Sequence, residues 1–224
     1  EQFLPIIKTL LSKIKNLTKA EKKNLKRFWD QRLDEEYAGD MFELGVKFLN
    51  KNDLRRANEK LREAVRLDPR FVLAHYFLGN SLAATRDFKQ AENHFRSAIQ
   101  LQSDFAEAYG GLGNILAAQG NLNGAIAKFE KAIEIKPNLF EAQINLGIAL
   151  GHKGEFEKAH FHYKKAIQIQ PQNHQTYLML ANSLYNNKNW KEAVRYYQDV
   201  LKLNSKLIQA RENLRKALQK LEDK

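Results

Sequence analysis

The segment Tyr76-Phe77-Leu78-Gly79-Asn80 returns 34 residues later as Gly110-Gly111-Leu112-Gly113-Asn114. A weaker copy, Ile144-Asn145-Leu146-Gly147-Ile148, follows after the same interval. Self-similarity at a fixed interval of this length is typical of proteins built from one recurring helical unit. We therefore divide the chain into repeats at 38–71, 72–105, 106–139, 140–173 and 174–207.

Five positions of the repeat keep one type of side chain. In order they are a leucine, a glycine or alanine, an alanine, a large apolar residue, and a second small residue. The columns are Leu44, Leu78, Leu112, Leu146 and Leu180; Gly45, Gly79, Gly113, Gly147 and Ala181; Ala57, Ala91, Ala125, Ala159 and Ala193; Leu61, Phe95, Phe129, Tyr163 and Tyr197; Ala64, Ala98, Ala132, Ala166 and Val200. Apolar residues recur three, four and seven apart on either side of a polar break, which predicts two amphipathic helices per repeat. We expect the glycine column to face the alanines and the large column to pack between neighbouring repeats.

The breaks between the two helices are predicted turns. Gly120 and Gly154 suit the left-handed backbone that ends a helix, Asn52 is tolerated there, and Arg86 and Lys188 are expected to be mildly strained. Prolines then end the second helix, because proline lacks an amide donor and clashes with the preceding turn. They are Pro69, Pro137 and Pro171.

The order leucine-glycine, alanine, aromatic, alanine, proline resembles the tetratricopeptide repeat over residues 38–207. Departures are Ala181, Val200 and Ser205 in the last repeat and Ser103 in the second. The resemblance implies an all-α fold, a right-handed superhelical solenoid of five helix-turn-helix repeats. A helix near 208–222, within a C-terminal segment 208–224, is predicted to cap it with Ile208, Ala210, Leu214, Ala217, Leu218 and Leu221 facing the last repeat.

Residues 1–37 lie outside the repeat pattern and are predicted to form a helical hairpin. The apolar residues Leu4, Ile7, Leu10, Leu11, Ile14 and Leu17 share one face of a first helix. Thr18 and Glu21 fit a capping box, so a second helix should begin there and run through Leu33. As a cap, the hairpin would pack Phe28 and Trp29 on the first repeat.

The net charge of +11 is concentrated at the two ends of the chain. Residues 1–29 hold eight cations: Lys8, Lys13, Lys15, Lys19, Lys22, Lys23, Lys26 and Arg27. Three interpretations remain open: a solvated cap, a basic amphipathic helix on an anionic membrane surface, and a segment for binding a partner or a second copy. Without an apolar run of about 18 residues, we expect a soluble, cytoplasmic protein, with peripheral membrane attachment as an alternative. Glu1 is not an initiator methionine, so an upstream signal or anchor stays possible.

The resemblance implies that the first helices line a concave groove that binds a partner. At the positions that line it lie Tyr76, Phe77, Asn80, Gly110, Asn114, Ile144, Asn145, Ile148, Leu178, Asn182 and Tyr185. This apolar, amide-rich lining predicts a protein partner that offers a hydrophobic or amide-rich peptide or helix, and Gly110 with Gly111 should leave a shallow hollow. The alternatives are solvated asparagines and aromatic rings packed on neighbouring helices. The family's carboxylate clamp for chaperone tails is not expected, since its positions hold Phe42, Val46, Phe77, Glu107 and Gly111.

We find no nucleophile with a base, no histidine pair at metal-binding spacing and no phosphate loop, so no catalytic residue, metal or cofactor is predicted. The sequence predicts a non-catalytic scaffold or adaptor, for which the resemblance implies assembly of multiprotein complexes. One alternative is a membrane-peripheral assembly factor docked by its basic N-terminus. Another, disfavoured, is an RNA-associated repeat protein, since Tyr196 beside Arg195 is the only aromatic and basic cluster. The oligomeric state is not predicted.

Overall fold

A computed structural model describes residues 17–223 of the chain. These residues form eleven α-helices and no strand, which confirms the all-α repeat class. The helices are α1 (Lys19–Asn50), α2 (Leu54–Leu67), α3 (Val72–Ala84), α4 (Phe88–Leu101), α5 (Ala106–Ala118), α6 (Leu122–Ile135), α7 (Phe140–His152), α8 (Phe156–Ile169), α9 (His174–Asn186), α10 (Trp190–Leu203) and α11 (Ile208–Glu222). Two compact units meet between Ser81 and Leu82, inside α3, and each is described by itself.

The helix boundaries follow the interval found in the sequence. The helices α3, α5, α7, α9 and α11 begin 34 residues apart, at Val72, Ala106, Phe140, His174 and Ile208. The predicted helix-turn-helix organisation is therefore confirmed. The C-terminal helix α11 also begins in this register, so it continues the series of first helices.

The turn residues adopt the backbone that the sequence predicts. Gly120 and Gly154 have φ of 81° and 78°, and Asn52, Arg86 and Lys188 have φ of 56°, 62° and 60°. The next residue in each turn donates its amide to a carbonyl five residues earlier at 2.9 Å, the longer bond of the Schellman motif. The same turn therefore joins the two helices at five places.

At four of the five turns, the residue just after the left-handed position caps the second helix with its side chain, a role that the sequence patterns did not reveal. Asp53, Asp87, Asn121 and Asn189 accept a hydrogen bond from a backbone amide in the first turn of α2, α4, α6 and α10. Glu155, at the same position before α8, makes no such bond. Four of the five second helices thus begin with a satisfied amide donor.

The core is built on the five recurring columns, although Leu44 is exposed, and the expected packing needs one correction. Ala57, Ala125 and Ala159 are fully buried, as are the other alanines of that column. The glycines, however, face the large side chains, because a Cβ placed on the glycine would lie 2.5–2.8 Å from them. The pairs are Gly45 with Leu61, Gly113 with Phe129 and Gly147 with Tyr163. Glycine therefore makes room for a ring or a leucine.

A second recurring contact links four of the first helices, α3, α7, α9 and α11, to the loop before them. Four side chains at the fourth helical position bond the carbonyl six residues earlier. His75 contacts the Pro69 carbonyl through Nε2 at 3.1 Å, while Gln143, Tyr177 and Arg211 donate to the carbonyls of Pro137, Pro171 and Ser205 at 2.9, 3.1 and 2.9 Å. Each bond satisfies an acceptor where the preceding helix has ended.

Helix α1 has the predicted capping box, but it does not end at residue 37, where the predicted hairpin ends. Thr18 accepts from the Glu21 amide, and the Glu21 carboxylate accepts from the Thr18 amide at 2.7 Å. From Lys19 the helix continues through position 37 to Asn50. Phe28 and Trp29 are 54% and 57% exposed, so the expected packing on the first repeat is not formed. The apolar face predicted for residues 4–14 lies outside the described residues.

Helix α11 only partly follows its predicted orientation. Ala210 and Ala217 are fully buried and Leu214 is half-buried. Ile208, Leu218 and Leu221 are exposed, contrary to the expectation. Only the small residues of the predicted face pack closely, because the backbone of α11 approaches its neighbours there and leaves the longer side chains at the edge of the contact.

Candidate functional site

In the first unit, three aromatic residues at predicted groove positions, Phe42, Tyr76 and Phe77, form a cluster with Phe71, which was not predicted. The ring of Phe42 lies 4.9 Å from that of Phe71 and 5.4 Å from that of Phe77, and Tyr76 lies edge-on to Phe77 at 5.4 Å. All four rings are half-buried, as is Asn80. Contacts of this kind match the alternative of packing between neighbouring helices, and the four rings stay partly accessible.

In the second unit, the two glycines that begin the second copy of the motif have different surroundings. A Cβ on Gly110 would meet nothing within 4 Å, so this position borders open space. A Cβ on Gly111 would lie 2.5 Å from the ring of Phe95, and Gly111 is buried. The expected hollow is therefore limited to Gly110, because Phe95 occupies the space beside Gly111.

Two amide pairs bridge successive first helices at an identical spacing. Asn145 donates through Nδ2 to Asn114 Oδ1 at 2.8 Å, and Asn213 donates through Nδ2 to Asn182 Oδ1 at 3.0 Å. Each pair spans 31 residues and joins the ninth position of one first helix to the sixth position of the next. The same positions between the two pairs hold Ile148 and Met179, both half-buried. The first-helix face thus alternates amide, apolar and amide pairs.

One amide pair lines a pocket between α5, α6 and α7, here called the central pocket. It has a volume of about 200 Å³ and is lined by Asn114, Ala117, Leu122, Phe129, Asn145, Ile148, Ala149 and His152. Most of these side chains are apolar, and the amides form one wall. Asn114, Asn145 and Ile148 were predicted from the sequence, whereas Phe129 was expected only in the core.

The second amide pair lines a larger pocket of about 390 Å³ between α9, α10 and α11, here called the terminal pocket. Its residues are Asn182, Tyr185, Asn186, Tyr197, Asn213 and Lys216. Tyr197 is 1% exposed and donates through its hydroxyl to Asn182 Oδ1 at 2.8 Å. Burial raises the pKa of Tyr197 to about 12, so the hydroxyl keeps its proton and stays a donor. Lys216 and Asn213 come from α11, which the sequence pattern had assigned only to capping.

The other predicted site residues are less closely grouped. Ile144 and Leu178 are half-buried on α7 and α9 and line neither pocket. Lys19, Lys22, Lys23, Lys26 and Arg27 are exposed at the beginning of α1. The remaining cations, Lys8, Lys13 and Lys15, lie outside the described residues.

Within residues 17–223, no group of three or more His, Cys, Asp or Glu side chains is placed to hold a metal ion. In the same part of the chain, none of the helices combines the length and the hydropathy needed to cross a membrane. The aromatic and basic cluster is also reduced, because Tyr197 is buried and Tyr196 is half-buried with its ring 6.4 Å from that of Tyr177.

Helix pairs that recur every 34 residues, with pockets along the first helices, define a helical repeat protein with an interaction-scaffold fold. Residues 95–207 match the sequence profile of the cytochrome c-type biogenesis protein H TPR domain, and residues 42–91 match a general tetratricopeptide repeat profile. The chain belongs to the tetratricopeptide repeat family. No curated protein matches the chain in a sequence search.

Several solved structures share this fold. MamA from Desulfovibrio magneticus RS-1 is 20% identical, with a TM-score of 0.68 over 77% of this chain and 97% of that one. PilF from Pseudomonas aeruginosa is 21% identical, with a TM-score of 0.68 over 83% and 91% of the two chains. YrrB, described as a TPR protein with an unusual peptide-binding site, is 19% identical, with a TM-score of 0.63 over 77% and 89%. At these identities the similarity shows the fold alone.

Proposed function

We propose that the chain is a non-catalytic scaffold that binds a peptide segment of a partner protein on its first-helix face and so assembles a multiprotein complex. The family and the solved relatives support the scaffold class. Peptide binding is described for YrrB, and the pockets along α5, α7, α9 and α11 give this chain surfaces for the same task.

The observation that carries the proposal is the hydrogen-bonding capacity left in the central pocket. Asn114 Oδ1 is bonded to Asn145 Nδ2, while Asn114 Nδ2 and Asn145 Oδ1 make no further hydrogen bond among the described residues. The pair therefore offers one donor group and one acceptor side by side. A peptide bond presents the complementary carbonyl and amide, so an extended backbone can pair with both.

The walls of the central pocket favour an apolar side chain beside that backbone. Leu122, Phe129 and Ile148 contribute apolar surface, and the volume of about 200 Å³ is below the roughly 300–1,000 Å³ of pockets that enclose whole small molecules. The pocket thus suits one or two side chains of a longer ligand. We propose a partner segment with an apolar residue flanked by exposed peptide groups.

A peptide selection tests this function directly. Random peptides displayed on phage are selected on the whole chain, and the affinities of the selected peptides are measured by fluorescence polarisation. Asn145→Leu removes the acceptor at nearly constant size, and we expect about a tenfold loss of affinity. Asn93→Leu is the matched control, since Asn93 is exposed on the second helix α4. Equal affinities for both variants would show that the peptides bind another surface.

A second candidate function is attachment to an anionic membrane surface, which one observation favours. Phe28 and Trp29 are more than half exposed, and their rings lie 5.8 Å apart directly after the exposed cations of α1. Aromatic side chains beside lysines are the combination that interfacial helices use. Docking by this segment would place the scaffold at a membrane without a spanning helix.

Co-sedimentation with vesicles of phosphatidylcholine and phosphatidylserine tests the second candidate. Replacing Lys19, Lys22 and Lys23 by Gln should abolish pelleting, since each cation contributes about 1 kcal/mol near an anionic surface. The control replaces Lys188, Lys191 and Lys206 by Gln, which changes the net charge equally. Phe28→Ala with Trp29→Ala should also reduce pelleting. If the control loses as much as the first variant, the binding is a general effect of net charge.

A further inference from the structure

The terminal pocket combines a lysine with amide groups and contains no acidic side chain. Lys216 is its only cation, and none of its lining residues is Asp or Glu. Lys216 also forms no ion pair or side-chain hydrogen bond with any residue in the part of the chain that the structure describes. A cationic or strongly basic ligand is therefore disfavoured, and an anion would find an ammonium group without a competing carboxylate.

The amide of Asn182 is held so that it can only donate. Its Oδ1 accepts two hydrogen bonds, from the Tyr197 hydroxyl at 2.8 Å and from Asn213 Nδ2 at 3.0 Å. Two bonds fill the lone pairs of an amide oxygen, so Asn182 presents only its two N–H groups to a ligand. Because Tyr197 is buried, this arrangement is fixed before any ligand arrives.

The position of the lysine distinguishes this pocket from the central pocket. Lys216 occupies the ninth position of α11, which Asn114 and Asn182 occupy in α5 and α9. In the central pocket, this position offers an amide group to a peptide bond. In the terminal pocket, the last ninth position of the series carries the positive charge of Lys216 instead. One ammonium group balances one negative charge, which matches a carboxylate better than a doubly charged phosphate.

We propose that the terminal pocket binds a carboxylate of the partner peptide, through Lys216 and the N–H groups of Asn182. This inference rests on the proposed peptide-binding function and adds an anchor point and a direction to it. The carboxylate is either the C-terminus of the peptide or an acidic side chain. The positions of the family's carboxylate clamp, which hold no cation in this chain, lie on α1, α3 and α5, so this anchor is at a different place.

Three blocked dipeptides distinguish the sources of the carboxylate. They are N-acetyl-Leu-Leu with a free C-terminus, the same dipeptide as its C-terminal amide, and N-acetyl-Leu-Glu amide. Each is titrated to about 10 mM, a range that detects weak binding, while the side-chain amide signals of Asn182 and Asn213 are followed by NMR. The signals of Asn114 and Asn145 report the central pocket in the same experiment.

We expect at least one of the two dipeptides with a carboxylate to shift the Asn182 signals. The dipeptide without a carboxylate, N-acetyl-Leu-Leu amide, should bind about tenfold more weakly. A shift with the free C-terminus alone assigns the anchor to a chain end, and a shift with the glutamate dipeptide assigns it to a side chain. Lys216→Gln should weaken binding about tenfold, whereas Lys220→Gln, on the same helix but outside the pocket, should not.

Three results would overturn the anchor. The first is an equal shift with N-acetyl-Leu-Leu amide and with the two dipeptides that carry a carboxylate. The second is no shift at Asn182 with any dipeptide, and the third is an equal loss of affinity in Lys216→Gln and Lys220→Gln. Shifts at Asn114 and Asn145 that persist in any of these cases would leave the proposed peptide-binding function intact. Loss of those shifts alone would count against that function and not against the anchor.

Discussion

The residue that ends each first helix shows how a fixed backbone shape tolerates different side chains. Arg86 and Lys188 take the same left-handed conformation as Gly120 and Gly154. The Schellman bond that follows, such as Asn189 N to Leu184 O at 2.9 Å, holds the turn whichever residue occupies it. A side chain with a Cβ therefore stays strained at this position, at a cost of roughly 1–2 kcal/mol.

We predict that Lys188→Gly stabilises the chain by about 1 kcal/mol, because relief of the strain exceeds the added entropy of glycine in the unfolded state. Urea unfolding followed by circular dichroism measures the change. Gly154→Lys is the reciprocal variant and should destabilise by a similar amount. A lower stability for Lys188→Gly would mean that the lysine makes a favourable contact that outweighs its backbone strain.

Buried histidines give a second prediction for single residues. His160 is 4% exposed, its Nε2 lacks a hydrogen-bond partner among the described residues, and burial lowers its pKa below the ordinary 6.5. Burial likewise lowers the pKa values of His75 and His162. The folded state then binds fewer protons than the unfolded state just below pH 6.5, so stability is complete above that pH and falls as the pH drops towards the lowered values.

We therefore expect the free energy of unfolding to decrease between about pH 7 and pH 5, the range in which histidine titrates. Urea unfolding at several pH values measures this decrease. His160→Phe should make the decrease smaller, since an apolar ring in this place takes up no proton. His152→Phe is the control, because His152 is exposed. Identical pH profiles for the wild type and His160→Phe would contradict the assignment.

Two neighbouring helices approach each other closely where a glycine on one faces an aromatic ring on the other. Helix α5 contains both a crowded and an open glycine. A Cβ on Gly113 would lie 2.5 Å from the ring of Phe129, whereas a Cβ on Gly110 would meet nothing within 4 Å. Phe129 is 1% exposed and also lines the central pocket, so its position affects both the core and the candidate site.

We predict that Gly113→Ala destabilises by about 1–3 kcal/mol through overpacking. Gly110→Ala, three residues earlier on the same helix, should be neutral or stabilise by up to about 1 kcal/mol, because alanine is the better helix former. Thermal and urea unfolding of both variants checks the contrast. Similar losses in the two variants would show that helix α5 is sensitive to any side chain on this face.

For the chain as a whole, the extended beginning of α1 contributes little buried surface. Of residues 18–37, all except the half-buried Leu25 are exposed. We predict that replacing Phe28, Trp29 and Leu33 together by Ala changes the stability by less than about 1 kcal/mol, as is usual for changes at exposed positions. Urea unfolding measures the stability, and circular dichroism should show an unchanged helix content. A large loss of stability would support the solvated cap as the role of this segment.

Much of this architecture could be predicted from the sequence, because helix pairs, turns and core columns each place the same residue type at the same interval. The contacts that escaped prediction use different residue types at one position. His75, Gln143, Tyr177 and Arg211 all bond a preceding carbonyl, and only their geometry is shared. The break expected at position 37 is absent because helix formers such as Glu35 and Glu36 continue across it without a proline.

The candidate site was predictable only in part. The positions of Asn114, Asn145 and Asn182 followed from the repeat register, but their pairing did not, because the bonds join residues 31 apart. Lys216 was missed because α11 was interpreted as a cap instead of a further first helix. The hydrogen-bond partners of an amide depend on side-chain orientation, which repeat spacing does not encode.

Helix α1 determines where anything joined to its start must be. Its 32 residues span about 48 Å, and the 19 residues before Ala38 account for roughly 28 Å of that length. An unbroken helix is a stiff spacer, so a molecule bound near Thr18 is kept at a set distance and bearing from the first repeat. A flexible tether of equal length would let the same molecule approach that repeat freely.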